Sequence, residues 1–412
     1  MRVHRLLCLG VAALAVAPAL SGCGGVGSSP ASPSIGNQLT IYSSLPLQGP
    51  SATISRQIVG GEKLALSHVG GRVGRFTISY ALRDDSSPTS GEWDPDVTAA
   101  NAKAAAQDPT TIAYLGDFNS GATAISLPLT NAAGILQVSP ASPYVGLTSS
   151  LDAGQGEPER FYLAGKRTFG RIAPGDPVQA ATQVALLQRL GVHSLYVLAD
   201  QDPFDAPLAQ IVAEDARRAG IAVKGQDTIT ILPGSNFTGE VAKVAGSGAQ
   251  AVFLSATATS EAAYLARRLH SANPRLSLLA SSTMLSPVFT AHLGAAEAAT
   301  FVGSPVLATR FYPASAQRVL AGYQRHFASA GEPYALYGYE AMSVVLSAIR
   351  AAGDHGDDRQ AVISRFFATR DRHSVLGVYS MQPNGETTLS SYAIDRVTAG
   401  TPVFWRAFGT SG

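Results

Sequence analysis

From Leu39 onward, short β-branched and apolar runs alternate with stretches of helical composition, and this alternation is what most limits the folds open to the chain. Leu39–Tyr42, Phe76–Tyr80, Ile112–Leu115 and Ile135–Val138 read as buried strands in the first part. Leu195–Leu198, Ile229–Ile231, Ala251–Leu254 and Leu276–Leu279 resume the rhythm later. Between the last two, Ala262, Leu265, Ala266 and Leu269 stand at i, i+3, i+4 and i+7, the buried stripe of a helix. Strands separated by helices must return in the same direction, so the pattern predicts an α/β protein with parallel sheets and crossover helices. A length of 412 residues, 46% of them hydrophobic, supplies enough apolar material for two such sheets.

The segment before Leu39 has a different character. Arg2, His4 and Arg5 precede an apolar run from Leu6 to Leu20, about 15 residues and too short to cross a bilayer. It reads as a signal peptide over residues 1–22, ending in Leu20-Ser21-Gly22-Cys23, which resembles the bacterial lipobox. Cys23 is then the lipidated N-terminus. Residues 23–38, rich in Gly, Ser and Pro, read as a flexible tether. With Cys8 in the removed segment and Cys23 acylated, no disulfide is expected, and the fold must stand on its core. No later run reaches the length of a transmembrane helix, so lipid is the expected means of membrane attachment.

A net charge of +1 offers no field to attract nucleic acid. The sequence holds no Gly-x-Ser-x-Gly elbow, no His-Glu-x-x-His and no Cys-x-x-Cys. Gly165-Lys166-Arg167-Thr168 departs from a phosphate loop, with Arg160 where glycine is needed. The eight histidines are scattered singly, so neither a metal site nor a cofactor is expected. Asp84-Asp85 reads as a solvated strand end rather than a catalytic carboxylate pair.

Several segments, in order along the chain, carry a family resemblance. They are Gly60-Gly61 with Leu64-Ala65, Gly70 to Tyr80 with Asp84-Asp85, Gly116–Thr123, and Ser139–Ser142. Asp202-Pro203-Phe204, Pro233–Phe237 and Tyr339-Glu340-Ala341 running to Gly353 follow. Together they resemble the leucine/isoleucine/valine-binding proteins, which are type I periplasmic binding proteins. The resemblance implies two Rossmann-like lobes joined by three hinge strands, one lobe over 39–170 and 305–374, the other over 175–300 and 378–408. It also implies a monomeric solute-binding lipoprotein, not an enzyme, which serves an ABC permease and ATPase from the outer face of the cytoplasmic membrane or the periplasm. A sensory receptor of the same fold is the alternative job, and a secreted α/β enzyme using Asp84, Asp200 or Asp202 the alternative class.

Site residues follow from both sources. After the strand ending at Leu115, Asp117–Gly121 leads into a helix, so backbone N–H groups and the Ser120 hydroxyl stand at a helix start suited to a carboxylate. Phe118, Asn119 and Ser120 are therefore expected to face the ligand. The resemblance adds Ser139, Ala141 and Ser142 on the next strand end, Phe204 as an aromatic wall, and Thr257 and Ser282. Pro143 stands where that family places threonine, removing a hydroxyl and an N–H. Ser282 stands where an acidic side chain pairs with an amino acid's ammonium. The pocket is thus expected to be hydroxyl-rich, uncharged, and better suited to a neutral or anionic solute than to a zwitterion. Trp93 is expected to pack on the surface, and Tyr337 and Tyr339 in the core.

Overall fold

The structure is a computed structural model in which residues 35–88 and 92–409 are described. The leader, Cys23 and most of the tether lie outside the described residues.

Six strands form the first sheet: β1 (Gln38–Leu45), β2 (Arg72–Val73), β3 (Phe76–Asp84), β4 (Thr111–Gly116), β5 (Leu136–Ser139) and β6 (Phe169–Arg171). Their order is β2-β3-β1-β4-β5-β6, and only the short β2 runs antiparallel to its neighbour. All six residues of β4 are buried, as is β1 after its first residue. Burial on both faces is why these strands read as continuous apolar runs. The helices α1 (Ala52–His68), α2 (Pro95–Gln107) and α3 (Ser120–Ala132) follow β1, β3 and β4 as crossovers.

The second sheet continues with β7 (Ser194–Ala199), β8 (Ala222–Thr228), β9 (Ala251–Ser255), β10 (Ser277–Ala280) and β11 (Thr300–Ser304). Its crossovers are α4 (Asp176–Arg189), which leads into β7, then α5 (Asp205–Arg218), α6 (Thr238–Ser247), α7 (Ser260–Ala272) and the single turn α8 (Pro287–Thr290). The chain then returns to the first half as α9 (Ala314–Phe327), α10 (Pro333–Ala352), α11 (Arg359–Phe367) and the ladder of β12 (Arg372–His373) with β13 (Val378–Tyr379). It ends in β14 (Tyr392–Thr398) and β15 (Thr401–Phe408), which add antiparallel to give the order β15-β14-β11-β10-β9-β7-β8. The α/β architecture with two largely parallel sheets is the one the sequence pattern predicts. Three passages link the halves, at 172–175, 305–308 and 380–391, and none is a regular strand.

One expected strand is displaced. Ile229–Ile231 lies past the end of β8, whose own residues alternate exposed and half-buried along the edge of the sheet. An edge strand keeps polar side chains on its open face, so it lacks the apolar run that marks its central neighbours. The expected stripe on α7 is present, with Ala262, Leu265, Ala266 and Leu269 all buried. Tyr337 is a core residue and Tyr339 packs half-buried at its margin.

Two glycines set how closely the helices approach. A Cβ at Gly61 in α1 would lie 1.9 Å from the Ala335 carbonyl oxygen, and one at Gly338 in α10 would lie 2.0 Å from that of Ile58. Only hydrogen at both positions allows the two backbones to touch, which binds the returning helix α10 to the first half.

Candidate ligand-binding cleft

Parallel strands direct their carboxyl ends the same way, and the loops that leave those ends collect on one side of each sheet. In this chain the loops of both sheets wall a single cavity of about 420 Å³, within the range of about 300–1,000 Å³ usual for small-molecule sites. The first half contributes Pro50 and Ser51 after β1, Trp93 after β3, Phe118 and Asn119 after β4, and Ala141 after β5. The second contributes Asp202 and Phe204 after β7, Thr257 after β9, Ser282 after β10 and Pro305 after β11. Side chains from α4 (Asp176, Gln179), α10 (Tyr334) and β14 (Tyr392) complete the wall.

Seven of the nine expected ligand residues therefore lie on one cavity: Phe118, Asn119, Ser120, Ala141, Phe204, Thr257 and Ser282. Ser139 and Ser142 do not line it. Both are fully buried, and their hydroxyls are consumed in holding the wall together. Ser139 Oγ donates to the Asp117 carbonyl at 2.7 Å and accepts from the N–H groups of Ala141 and Ser142 at 3.1 and 2.9 Å. Ser142 Oγ meets Thr123 Oγ1 at 2.7 Å and donates to the Asp117 carbonyl at 3.0 Å. Ser120 is the first residue of α3 rather than its cap, which is Asn119, and Ser120 Oγ accepts from Tyr144 N at 3.3 Å.

Behind this wall runs a polar network. Asp117 accepts from Tyr114 Oη at 2.9 Å and from Ser126 Oγ. Ser126 Oγ accepts in turn from Gln137 Nε2 at 2.7 Å, and Gln137 Oε1 accepts from Thr130 Oγ1 at 2.6 Å. Asp85, expected to be solvated, is fully buried beside Asp117. Burial and the neighbouring carboxylates hold Asp85 in its neutral form, and burial raises Asp117 against the pull of its hydroxyl donors.

Arg171 anchors the same wall from below. It is wholly buried at the end of β6, and Nη1 donates to the Ser142 carbonyl at 2.6 Å while Nη2 donates to the Tyr144 carbonyl at 2.9 Å. Its ion-pair partner at 2.8 Å is Glu386, on the third passage between the halves, which also accepts from Thr148 Oγ1 at 2.5 Å. The rigid fork of arginine thus ties a cavity wall to two passages at once.

The second half presents carboxyls differently. Asp200 accepts from Asp202 N at 2.9 Å and Thr257 N at 2.8 Å, and Asp202 accepts from Phe204 N at 2.8 Å. These aspartates shape the loops after β7 and β9 while Asp202 stays on the cavity. Asp205 starts α5 and accepts from Ser255 Oγ at 2.8 Å, with burial raising its pKa well above the carboxylate range. Asp176 starts α4, accepts from Val145 N at 3.2 Å, and is pushed by burial to about 7, with Arg171 opposing.

The lining expected from the sequence holds no acid, and the one the fold assembles does, although burial keeps Asp205 protonated and raises Asp176 to about 7. Asp176, Asp202, Asp205 and Glu92 reach the cavity, and among the described residues no Lys, Arg or His does. Ser282 is indeed without charge, but acids arrive from other elements. Trp93 is a second departure, since it lines the cavity instead of packing on the surface. Asp94 accepts from the N–H groups of Asp96 and Val97, and Pro95 opens α2. That cap signature was the available signal that Trp93 stands immediately before a helix start on the loop leaving β3. No local signal marks Tyr334 or Tyr392, which only the return of α10 and β14 brings in. Among the described residues, no cluster of His, Cys, Asp and Glu has the arrangement of a metal site.

The profile of the family described as periplasmic binding protein matches residues 39–402. A Leu/Ile/Val-binding protein homologue from Brucella abortus (strain 2308) is 25% identical over 356 residues, 85% of this chain and 88% of that protein. Among solved structures, a leucine-binding protein from Thermotoga maritima superimposes with a TM-score of 0.72 at 19% identity, covering 90% of this chain and 98% of its own. A solute-binding protein of an ABC transporter from R. palustris, in complex with benzoate, gives 0.68 at 16% identity, covering 90% and 96%. The family implies export to the periplasm, and no helix among the described residues is long and apolar enough to cross a membrane. Similar to substrate-binding proteins of the branched-chain amino acid ABC transporter kind, and with two α/β halves, a cavity at their strand ends and a family profile spanning both, the chain belongs to the type I periplasmic binding proteins.

Proposed function

We propose that this protein is the receptor subunit of an ABC importer, held outside the cytoplasmic membrane by lipid on Cys23, and that it captures an amino-acid-type or related small polar solute. The observation that carries this reading is the single cavity walled by the strand ends of both sheets. A solute bound there touches both halves, so it stabilises whichever arrangement brings them together. Two polar side chains on the wall support the same reading: Gln179 and Tyr392 are each about 1% exposed, and Gln179 Nε2 beside Asp176 and Tyr392 Oη beside Ser282 lack a well-formed hydrogen bond. Buried polar groups without partners are costly, by about 1–3 kcal/mol each, and a solute that reorders the wall offers them partners.

Because relatives take leucine in one case and benzoate in another, the discriminating experiment is a thermal-shift screen across amino acids, amides, aromatic acids and sugars. A specific solute at a hundredfold excess over Kd stabilises by about 2.7 kcal/mol. Silence across the whole panel would reject the receptor reading. Separately, Cys23→Ala should move the protein from the detergent phase to the aqueous phase on membrane partitioning, and an unchanged distribution would reject the lipid anchor.

A further inference from the structure

On the reading of the cleft as a solute site, we propose that its solute carries a positive charge on an amine, methylated or set in a ring, held among aromatic faces and carboxylates. Three observations converge on this class.

The first is the charge of the wall. Four carboxyl side chains reach the cavity, and no basic side chain among the described residues does. Burial keeps Asp205 protonated and raises Asp176 to about 7, so Asp202 and Glu92, raised less, are the ones left to carry negative charge. A solute whose only charge is negative would meet repulsion from any of these groups that is ionised, with no side-chain counter-ion.

The second concerns the helix starts, which in such folds are the usual alternative for holding an anion. Those of α4 and α5 each carry an acid as their first residue, Asp176 and Asp205, although neither side chain bonds to the N–H groups of its own helix. That of α3 is covered by rings. A Cβ at Gly121 would stand 2.5 Å from Trp93 and 3.0 Å from Phe204, so one aromatic side chain from each half packs on its first turn.

The third is what remains. Trp93, Phe118, Tyr144, Phe204, Tyr334 and Tyr392 all line the cavity. Phe204 meets Tyr144 edge-on with centroids 5.0 Å apart, and Phe118 meets Tyr334 edge-on at 6.2 Å. Rings bear negative potential on their faces, and tryptophan is the best of them for a cation. Rings with nearby carboxylates favour a weakly hydrated organic cation over an anion of the same size.

The test is calorimetric titration of the mature protein, purified in detergent, with choline, glycine betaine, leucine and benzoate. Choline or glycine betaine should bind tighter than either of the others. Trp93→Leu should weaken that binding by about tenfold, Trp93→Phe should recover part of it, and Asp202→Asn should weaken it with the melting temperature held. Tighter binding of leucine or benzoate overturns the inference and leaves the receptor reading standing. So does cation binding that Trp93→Leu leaves untouched. Silence from all four probes also overturns it, and only silence from the broader solute panel removes the receptor reading as well.

Discussion

The two halves share one architecture and use their strand ends in opposite ways. In the first, the groups after β4 and β5 are largely spent on one another: Asp117, Ser126, Gln137, Ser139 and Ser142 form a network, and Phe118, Asn119, Ser120, Ala141, Pro143 and Tyr144 are left on the cavity, none of them with a charge. In the second, Asp200 and Asp202 fold the loops through their own backbone N–H groups, and Asp202, Thr257 and Ser282 stay on the cavity. Parallel strands ending at a cleft therefore supply a place for chemistry without dictating it. A network that satisfies itself makes a frame, and side chains that fold their own loops remain available to a solute.

The comparison can be broken where the halves are joined. Arg171→Met should cost most, about 3–5 kcal/mol in urea unfolding, because it leaves Glu386 without its partner and two wall carbonyls without donors. Pairing it with Glu386→Leu should return part of that loss, since the stranded charge is gone. Within the frame, Asp117→Ala should cost about 2–3 kcal/mol by orphaning Tyr114 and Ser126, with solute affinity falling only as the wall loosens.

Acid–base behaviour should report the frame as well. Asp85 and Asp117 are held above the carboxylate range by burial, and Glu62, which accepts from Ser43 Oγ at 2.8 Å, is raised by burial to about 7, as is Asp176. Each keeps a proton in the folded chain that the unfolded chain releases near pH 4. Their contribution is complete below that pH and is lost as the pH rises toward 7 to 8, by at most about 1.4 kcal/mol per unit for each group. Unfolding free energy should therefore decline between pH 4 and 8, and a flat profile would show these acids ionised in the folded state. Smallest in stability is Asp202→Asn, under about 0.5 kcal/mol, because the amide oxygen can still accept from Phe204 N. Its effect should fall on affinity, the reverse of Asp117→Ala.

Much of the first half's role was legible locally. Leu39–Tyr42 and Ile112–Leu115 are central strands buried on both faces, so their apolar runs announce them. Asp117–Gly121 lies where a strand gives way to a helix, which placed Phe118, Asn119 and Ser120 on the cleft. Ser139 and Ser142 show the limit of that reasoning. A serine at a strand end can face a solute or brace the loop, and the choice depends on whether Asp117 and Thr123 stand behind it.

The sequence by itself determined the alternation of strand and helix, the two-sheet count and most of the residues at the strand ends, because those depend on hydrophobic period and on turns spanning a few residues. Only the tertiary structure decided the charge of the cavity and the rings that enclose it. Asp176, Tyr334 and Tyr392 are brought to Trp93 and Phe118 by chain passages across tens to hundreds of residues, and no local pattern encodes which side chains such a return will leave facing one another.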